Sequence, residues 1–401
     1  METVAATQTR ILGSVVPLAS ERLPLALCLG RVLASPLVSD RVVPGFANSS
    51  MDGYAVRGAD LLGASPSAPV RLPVEGAIAA GSTAAAVLAP GTAARIATGA
   101  PLPEGGDTVV PHEQTDRGDR VVAIHAAAEV GSFVRLAGHD MLPGAVVVEP
   151  GRRLRPGDLA ACAAAGASEL DVACRPRVAI LSTGDELVPP GSACRFGQAV
   201  DSNAIGLGTA IADAGGEAVA LGIVGDTPGE LREALRSAAD CDLIVSSGGV
   251  SVGEHDHVRD VVDEMGSIDL WRVAMRPGKP VAFGRVGDTP FLGLPGNPVS
   301  SLVTFELFAR PAILALQGAA YPHRSRFAAR LVEDITTPPH LETYIRASLD
   351  PGPDAIPTVR STESQDSSAL VSLARADCLL VIPAESTSVK AGSIVQVIPL
   401  Q

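Results

Sequence analysis

The run Leu243–Ser247 (LIVSS), preceded by Asp242 and broken at Gly248 and Gly249, limits the fold more than any other stretch. A short continuous apolar run closed by glycines suits a strand covered on both faces, as in a parallel sheet. Paired glycines permit backbone angles that other residues resist, so the chain can pass close to a ligand. N–H groups in such a turn can cradle an anion. Glu254 and Asp256 follow the turn and can hold a metal through oxygen. A plain structural turn is the competing reading, so the surrounding segments carry the argument.

From about Arg175 onward, strand and helix patterns alternate. Strands are expected over 177–181, 217–224, 243–247, 270–274, 281–283 and 291–294. Helices are expected over 203–214, 227–239, 258–265 and 298–316, with Asn297 as a cap and Pro311 as a kink. Thr227, Pro228 and Glu230 form a capping-box start signal. Alternating strands and helices imply a parallel sheet with helices on both faces.

The flanking segments differ in character. Residues 1–40 hold a helical candidate from Ser20 to Val38, interrupted by Pro24. Residues 41–148 are β-rich and broken by Gly and Pro, with polar spots at Thr98–Pro101 and Arg135–Asp140. An alanine-rich helix over 156–166 is expected beside the N-terminal one. That pairing would make the β region an insertion. Residues 322–401 read as a small β domain. The expected fold class is multidomain α/β. It has a discontinuous helical and extended N-terminal domain (1–40 and 149–174) and an inserted irregular β domain (41–148). A parallel α/β domain (175–320) and a C-terminal β domain (321–401) follow.

Bulk properties remove several function classes. A chain of 401 residues exceeds one ordinary core, and 46% hydrophobic with 19% charged residues is globular. The net charge of −13 argues against broad nucleic-acid binding. No apolar run approaches the length of a membrane span, so no membrane partner is expected. The first residues lack the regions of a signal peptide, so a cytoplasmic location is expected. Six scattered cysteines with no C-x-x-C pair argue against a zinc site or a disulfide framework.

In an open parallel sheet, ligands bind outside the carboxyl ends of the strands. Polar residues recur there: Asp185 and Glu186, Asp226, Gly248 through Asp256, Arg276 and Lys279, then Asn297 and Ser300. Glu186, Asp226 and Asp256 in one crevice would repel one another without a cation, and oxygen donors suit Mg²⁺. Helix capping is the alternative for Asp226 and Asp256. Arg276, Lys279 and the glycine turn would hold an anion. Only Lys279 and Lys390 among the 31 basic residues are lysine, so a point charge beside Gly278 stands out. No serine or cysteine pairs with a histidine, so the pattern favours metal-assisted electrostatic chemistry on a phosphate or oxyanion.

Seven segments, in order, resemble the molybdopterin molybdenumtransferase (MoeA and gephyrin E-domain) family. They are Asn48–Arg57 (NSSMDGYAVR), Ile96–Pro101 (IATGAP), Gly138–Met141 (GHDM) and Ser182–Leu187 (STGDEL). Ser246–Gly253 (SSGGVSVG), Arg276–Pro280 (RPGKP) and Gly293–Ser300 (GLPGNPVS) complete the set. The resemblance implies four domains and a homodimer whose active site joins one subunit's β domain to the other's molybdopterin-binding α/β domain. It implies Mg²⁺-dependent insertion of molybdate into adenylylated molybdopterin, releasing AMP. Other molybdenum-cofactor enzymes would be further partners. It assigns Glu186, Asp226 and Asp256 to the metal, and Arg276, Lys279, Ser300, Arg346 and Ser367 to molybdate. Asp52, Thr98, Arg135 and Asp140 would face the partner's site, with Asp52, Glu186, Asp256 and Lys279 catalytic. Gly248, Gly249 and Ser251 would line the substrate turn. The chain departs from the family at Arg276 (often lysine), His139 (usually glutamate) and Ala47 (often aspartate). A molybdopterin-binding scaffold without turnover and a molybdopterin adenylyltransferase are the alternative functions.

Overall fold

The computed structural model describes residues 1–83, 86–249, 257–352 and 355–400, without the side chains of Leu270 and Trp271. Ser251, Glu254 and Asp256 therefore lie outside the described residues.

The central sheet has six strands: β1 (Arg177–Thr183), β2 (Glu217–Val224), β3 (Leu243–Ser247), β4 (Gly266–Arg272), β5 (Pro280–Val286) and β6 (Thr289–Leu294). Their order is β2-β1-β3-β6-β5-β4. The first four neighbours pair in parallel. β5 runs antiparallel to both β6 and β4. The sheet is thus mixed rather than wholly parallel. The reason is local: Gly287 and Asp288 link β5 to β6 as a hairpin too short for a crossover. One reversed strand still leaves β4 aligned with β6. The carboxyl ends of β1, β2, β3, β4 and β6 share one edge with the start of β5.

Strand residues alternate between two cores, as a pleat requires. Val178 and Ile180 pack with Leu207 and Ile211 of helix α1 (Ser202–Asp213). Ala179 and Leu181 pack with Leu231 and Leu235 of α2 (Pro228–Ser237) and with Val258 and Val261 of α3 (His257–Met265). β3 is buried throughout, as its unbroken apolar run implies.

Helix α4 spans Pro298–Leu316 and is long and apolar enough to cross a membrane by length and composition. This corrects the expectation that no run approaches that length. It is spent instead on the protein core, where 83% of its most apolar 18-residue window is buried. A π turn over Phe305–Ala309 interrupts it. The distortion precedes Pro311, whose ring crowds the preceding turn and offers no N–H.

The N-terminal expectation was wrong in its elements. The helix is Val4–Leu12, capped by Thr3, whose Oγ1 accepts from Ala6 N–H at 3.2 Å. It packs into the α4 side of the core. Ser20–Pro24 is a strand paired antiparallel with Glu169–Ala173, followed by a short 3₁₀ turn. The helix Pro156–Ala164 joins a separate cluster with Cys28, Leu33 and Leu170, not the N-terminal helix. Leu37–Val38 pairs with Val146–Val148, and Ser39 N–H donates to Ala145 O at 2.9 Å. Between these crossings lies a five-stranded sheet running from Gly53–Val56 to Val121–Ile124 in sequence.

The C-terminal sheet takes its first strand from elsewhere. Met275–Arg276, just past β4, pairs in parallel with Glu342–Asp350. Glu342–Asp350 also pairs with Cys378–Ile382, closing a small barrel.

Candidate active site

The shared sheet edge opens into a cavity of about 490 Å³. Its walls come from Thr183 and Glu186 after β1, Ser247 to Gly249 after β3, Pro280 at β5 and Pro295 to Pro298 after β6. Asp201 to Asn203, at the start of α1, close the side. Of the residues expected to converge, Glu186, Gly248, Gly249 and Asn297 line this cavity, and Asp185, Asp226, Arg276, Lys279 and Ser300 do not.

Gly248 and Gly249 hold φ of +93° and +71°, in the left-handed region. A Cβ on Gly249 would stand 2.2 Å from Val258 Cγ2. The Gly248 N–H is not free for an anion, because it donates to Leu294 O at 2.9 Å. The turn thus shapes the wall, and the β3 and β6 ends pack backbone to backbone at Gly248 and Gly296.

Asn203 was missed by sequence reasoning. Its Nδ2 donates to Ser247 Oγ at 2.6 Å and to Gly296 O at 2.7 Å. The carbonyl accepts only, so the amide orientation is fixed, and one side chain latches three elements at the cavity. Its signal was position alone: an asparagine in the first turn of the helix that opens beside the edge.

The acidic residues lie next to this cavity. Asp226 is half-buried, and its N–H donates to Asp185 Oδ1 at 3.3 Å. Burial pushes its carboxyl upward from the usual range, and the charges of Asp185 and Glu186 push it further, with His257 opposing. Asp226 does not cap α2. Thr227 does, accepting from Glu230 N–H at 3.4 Å and donating to Glu230 Oε2 at 2.7 Å. Among the described residues, no three His, Cys, Asp or Glu side chains alone encircle a metal. The oxygens of Asp226 and of the neighbouring Asp185 and Glu186 are nevertheless hard donors, of the kind that suits Mg²⁺.

A second cavity, about 200 Å³, lies where Met275–Arg276 joins the barrel. Arg276, Arg346, Thr343, Ser361 and Gln365 help line it. Arg346 is 1% exposed. Its Nη2 donates to Ser364 O at 2.7 Å and Asp366 O at 3.0 Å, and its Nε to Ser372 Oγ at 3.2 Å. Burial pulls its pKa down, and Asp366 opposes.

Lys279 and Ser300 line neither cavity. Lys279 is exposed and has no ion-pair partner among the described residues. Gly278 before it has φ of +96°, with a hypothetical Cβ 2.3 Å from Thr304 Cγ2, so the turn presses on α4. Ser300 is buried beneath that turn. Asn297 is not a side-chain cap. Its Nδ2 donates to Ser367 Oγ at 3.0 Å, and Ser367 O accepts from Val299 N–H at 3.0 Å. Ser367 thus reaches the rim of the larger cavity through Asn297.

Asp52, Thr98, Arg135 and Asp140 lie in the β region and line neither cavity. Asp52 Oδ1 accepts from Thr98 N–H at 2.7 Å and from Thr98 Oγ1 at 2.9 Å. The backbone bond, then the hydroxyl, holds the Asp52 carboxyl below its usual value. Arg135 pairs through its backbone with Asn48, and Asp140 N–H donates to Val43 O at 3.0 Å.

Three family models cover this architecture. The MoeA N-terminal region (domain I and II) matches residues 2–166. A probable molybdopterin binding domain matches 179–315, and the MoeA C-terminal region (domain IV) matches 328–400. The cavity edge thus falls in a unit similar to molybdopterin-binding domains. Molybdopterin molybdenumtransferase 2 of Mycobacterium tuberculosis is 42% identical over 381 residues, 93% of each chain. The molybdopterin molybdenumtransferase of a Nostoc species is 39% identical over 377 residues, 92% of this chain and 86% of that one. The crystal structure of a molybdopterin biosynthesis MoeA protein from Pyrococcus horikoshii OT3 matches with a TM-score of 0.85 at 26% identity, covering 100% of both chains. The chain belongs to the molybdopterin molybdenumtransferase family, transferases of molybdenum cofactor biosynthesis.

Proposed function

We propose that the chain inserts molybdate into adenylylated molybdopterin with release of AMP, in a Mg²⁺-dependent reaction. The observation that carries this reading is the cavity at the shared strand edge, walled by glycine turns and flanked by Asp226 and Glu186. A pterin-linked pyrophosphate suits a wall of close-approaching backbone. Asp226 and Glu186, with Asp256 from outside the described residues, would hold Mg²⁺. When bound, the ion would neutralise phosphate charge and polarise the phosphoryl group. Lys279 supplies a cation at the same edge for the oxyanion, without an acidic partner among the described residues. Arg276 offers a second cation, and Arg346 fixes the loop over Ser364–Asp366 that leads to Ser367.

The resemblance supports a homodimer in which Asp52, Thr98, Arg135 and Asp140 face the partner's cavity. It also supports domain limits near residues 40, 148, 174 and 320. Six unpaired cysteines support a reducing, cytoplasmic setting.

The test is AMP release by purified protein given adenylylated molybdopterin, molybdate and Mg²⁺. Wild type turns over, and Lys279→Ala and Asp226→Asn each lose at least about 100-fold, the scale of one lost electrostatic contact in an active site. Full activity in both variants, or wild type that binds the pterin without releasing AMP, overturns the reading.

A further inference from the structure

The segment between Leu187–Val188 and Ala199–Val200 is an excursion of ten residues, Pro189 to Gln198 (PPGSACRFGQ). Its two stems pair in parallel, Leu187 with Ala199 and Val188 with Val200. Leu187, Ala199 and Val200 line the larger cavity, so both ends of the excursion are anchored on its rim. Next to the Ala199 stem a tight turn is fixed by two bonds. Gln198 Oε1 accepts from Arg195 N–H at 3.0 Å, and Gln198 N–H donates to Arg195 O at 3.0 Å. That turn holds Phe196 wholly in solvent.

Among the described residues Phe196 is the most exposed of the large hydrophobic side chains, ahead of Tyr321 and Leu62. Only twelve residues are aromatic: eight Phe, three Tyr and one Trp. Covering a phenylalanine side chain is strongly favourable, so a ligand ring that reached Phe196 would gain by stacking on it. Phe196 is three residues from Ala199, and three residues of chain span at most about 11 Å. Gly191 and Gly197 flank the tip with φ of +84° and +86°, and a Cβ at either would meet only open space. The loop therefore has room to fold toward the rim.

The cavity lacks what Phe196 carries. Among the described residues its lining contains prolines, glycines, small polar residues, two acids and the aliphatic Leu187, Ala199 and Val200, but no aromatic side chain. A planar heterocycle bound there has backbone and amide groups for its edge and, among the described residues, only aliphatic side chains and prolines for its face. Planar rings stack favourably on aromatic side chains.

We propose that Phe196 is a ligand-covering residue, stacking on a planar heteroaromatic ring in the cavity, and so sets affinity for the nucleotide–pterin substrate. The inference rests on the proposed function insofar as it takes the cavity as the substrate site. Both the adenine and the pterin have the required flat face, and they are separated by experiment.

The experiment measures binding of AMP alone, molybdopterin alone and adenylylated molybdopterin to wild type, Phe196→Ala and Phe196→Trp. Stacking of one ring is worth about 5- to 150-fold in affinity. Phe196→Ala should weaken one of the two halves and the adenylylated substrate by at least about 5-fold, while Phe196→Trp retains wild-type affinity. Loss for AMP assigns the ring to adenine, and loss for molybdopterin assigns it to the pterin. The KM for molybdate should not move, because the oxyanion offers no ring. Equal affinities in wild type and Phe196→Ala overturn the proposal. So does an affinity loss that tracks a change in molecular mass by sedimentation, which would make Phe196 a subunit contact. Wild type that binds neither half overturns the substrate-site reading instead. Phe196 packs against nothing, so its replacement leaves the fold intact.

Discussion

The two cavities are built by opposite means. The larger one is shaped by backbone: glycines at positive φ, two strand ends in contact, and one asparagine latch. The smaller one is shaped by side chains, with Arg346 held by two carbonyls and a hydroxyl. Backbone walls suit a large ligand read by shape. Fixed guanidinium groups suit a small ligand read by charge. Under the proposed function, the larger cavity would take the bulky organic substrate and the smaller one the compact oxyanion.

Replacing Arg346 is the severest way to break this comparison. Arg346→Met would strip three hydrogen bonds from a buried network and should cost about 3–5 kcal/mol in urea unfolding. A loss below about 1 kcal/mol would show that the smaller cavity does not depend on its arginine. Gly249→Ala addresses the larger cavity. Left-handed strain and the clash with Val258 together should cost about 2–4 kcal/mol. Val258→Ala in the same chain should recover the clash portion only, and full recovery would remove strain from the account.

Asp226→Asn should have a smaller effect on stability, of opposite sign. The folded pKa of Asp226 lies above its unfolded value, so its charged form opposes folding at neutral pH. Stability from this group grows as pH falls through the folded pKa. The metal-free Asn variant should therefore melt slightly higher than wild type at pH 7, and the gap should close on acidification. Added Mg²⁺ should raise the melting temperature of wild type but not of the variant. The smallest effect is expected from Thr98→Val. Asp52 is held below its usual pKa, so its contribution is present at neutral pH and fades as pH falls through the folded value. Removing the hydroxyl should move the Asp52 midpoint upward in an NMR titration, but only partly, because the Thr98 N–H contributes more.

The sequence made some of this legible for a definite reason. β3 and its glycines were readable because burial on both faces leaves a continuous apolar run. The start of α2 was readable because Thr227, Pro228 and Glu230 act within one turn. What stayed hidden depends on distant partners. Leu23, Leu25, Leu27 and Leu29 alternate, yet Ser20–Pro24 becomes a strand only beside Glu169–Ala173. Asn203 gains meaning from Ser247 and Gly296, which lie 44 and 93 residues away. Arg276 looked like part of the α/β edge, but two residues of pairing place it against the barrel.

The bond between Ser39 and Ala145 has a consequence for where the chain can be cut. The path out to the five-stranded sheet and the path back lie side by side, as a doorway to the segment between them. Such a doorway can receive or release a whole module without re-threading the rest. Joining Ser39 to Ala145 through two glycines should leave a shortened protein whose remaining sheets still fold, and whose lost capacity is confined to what the module itself contributes.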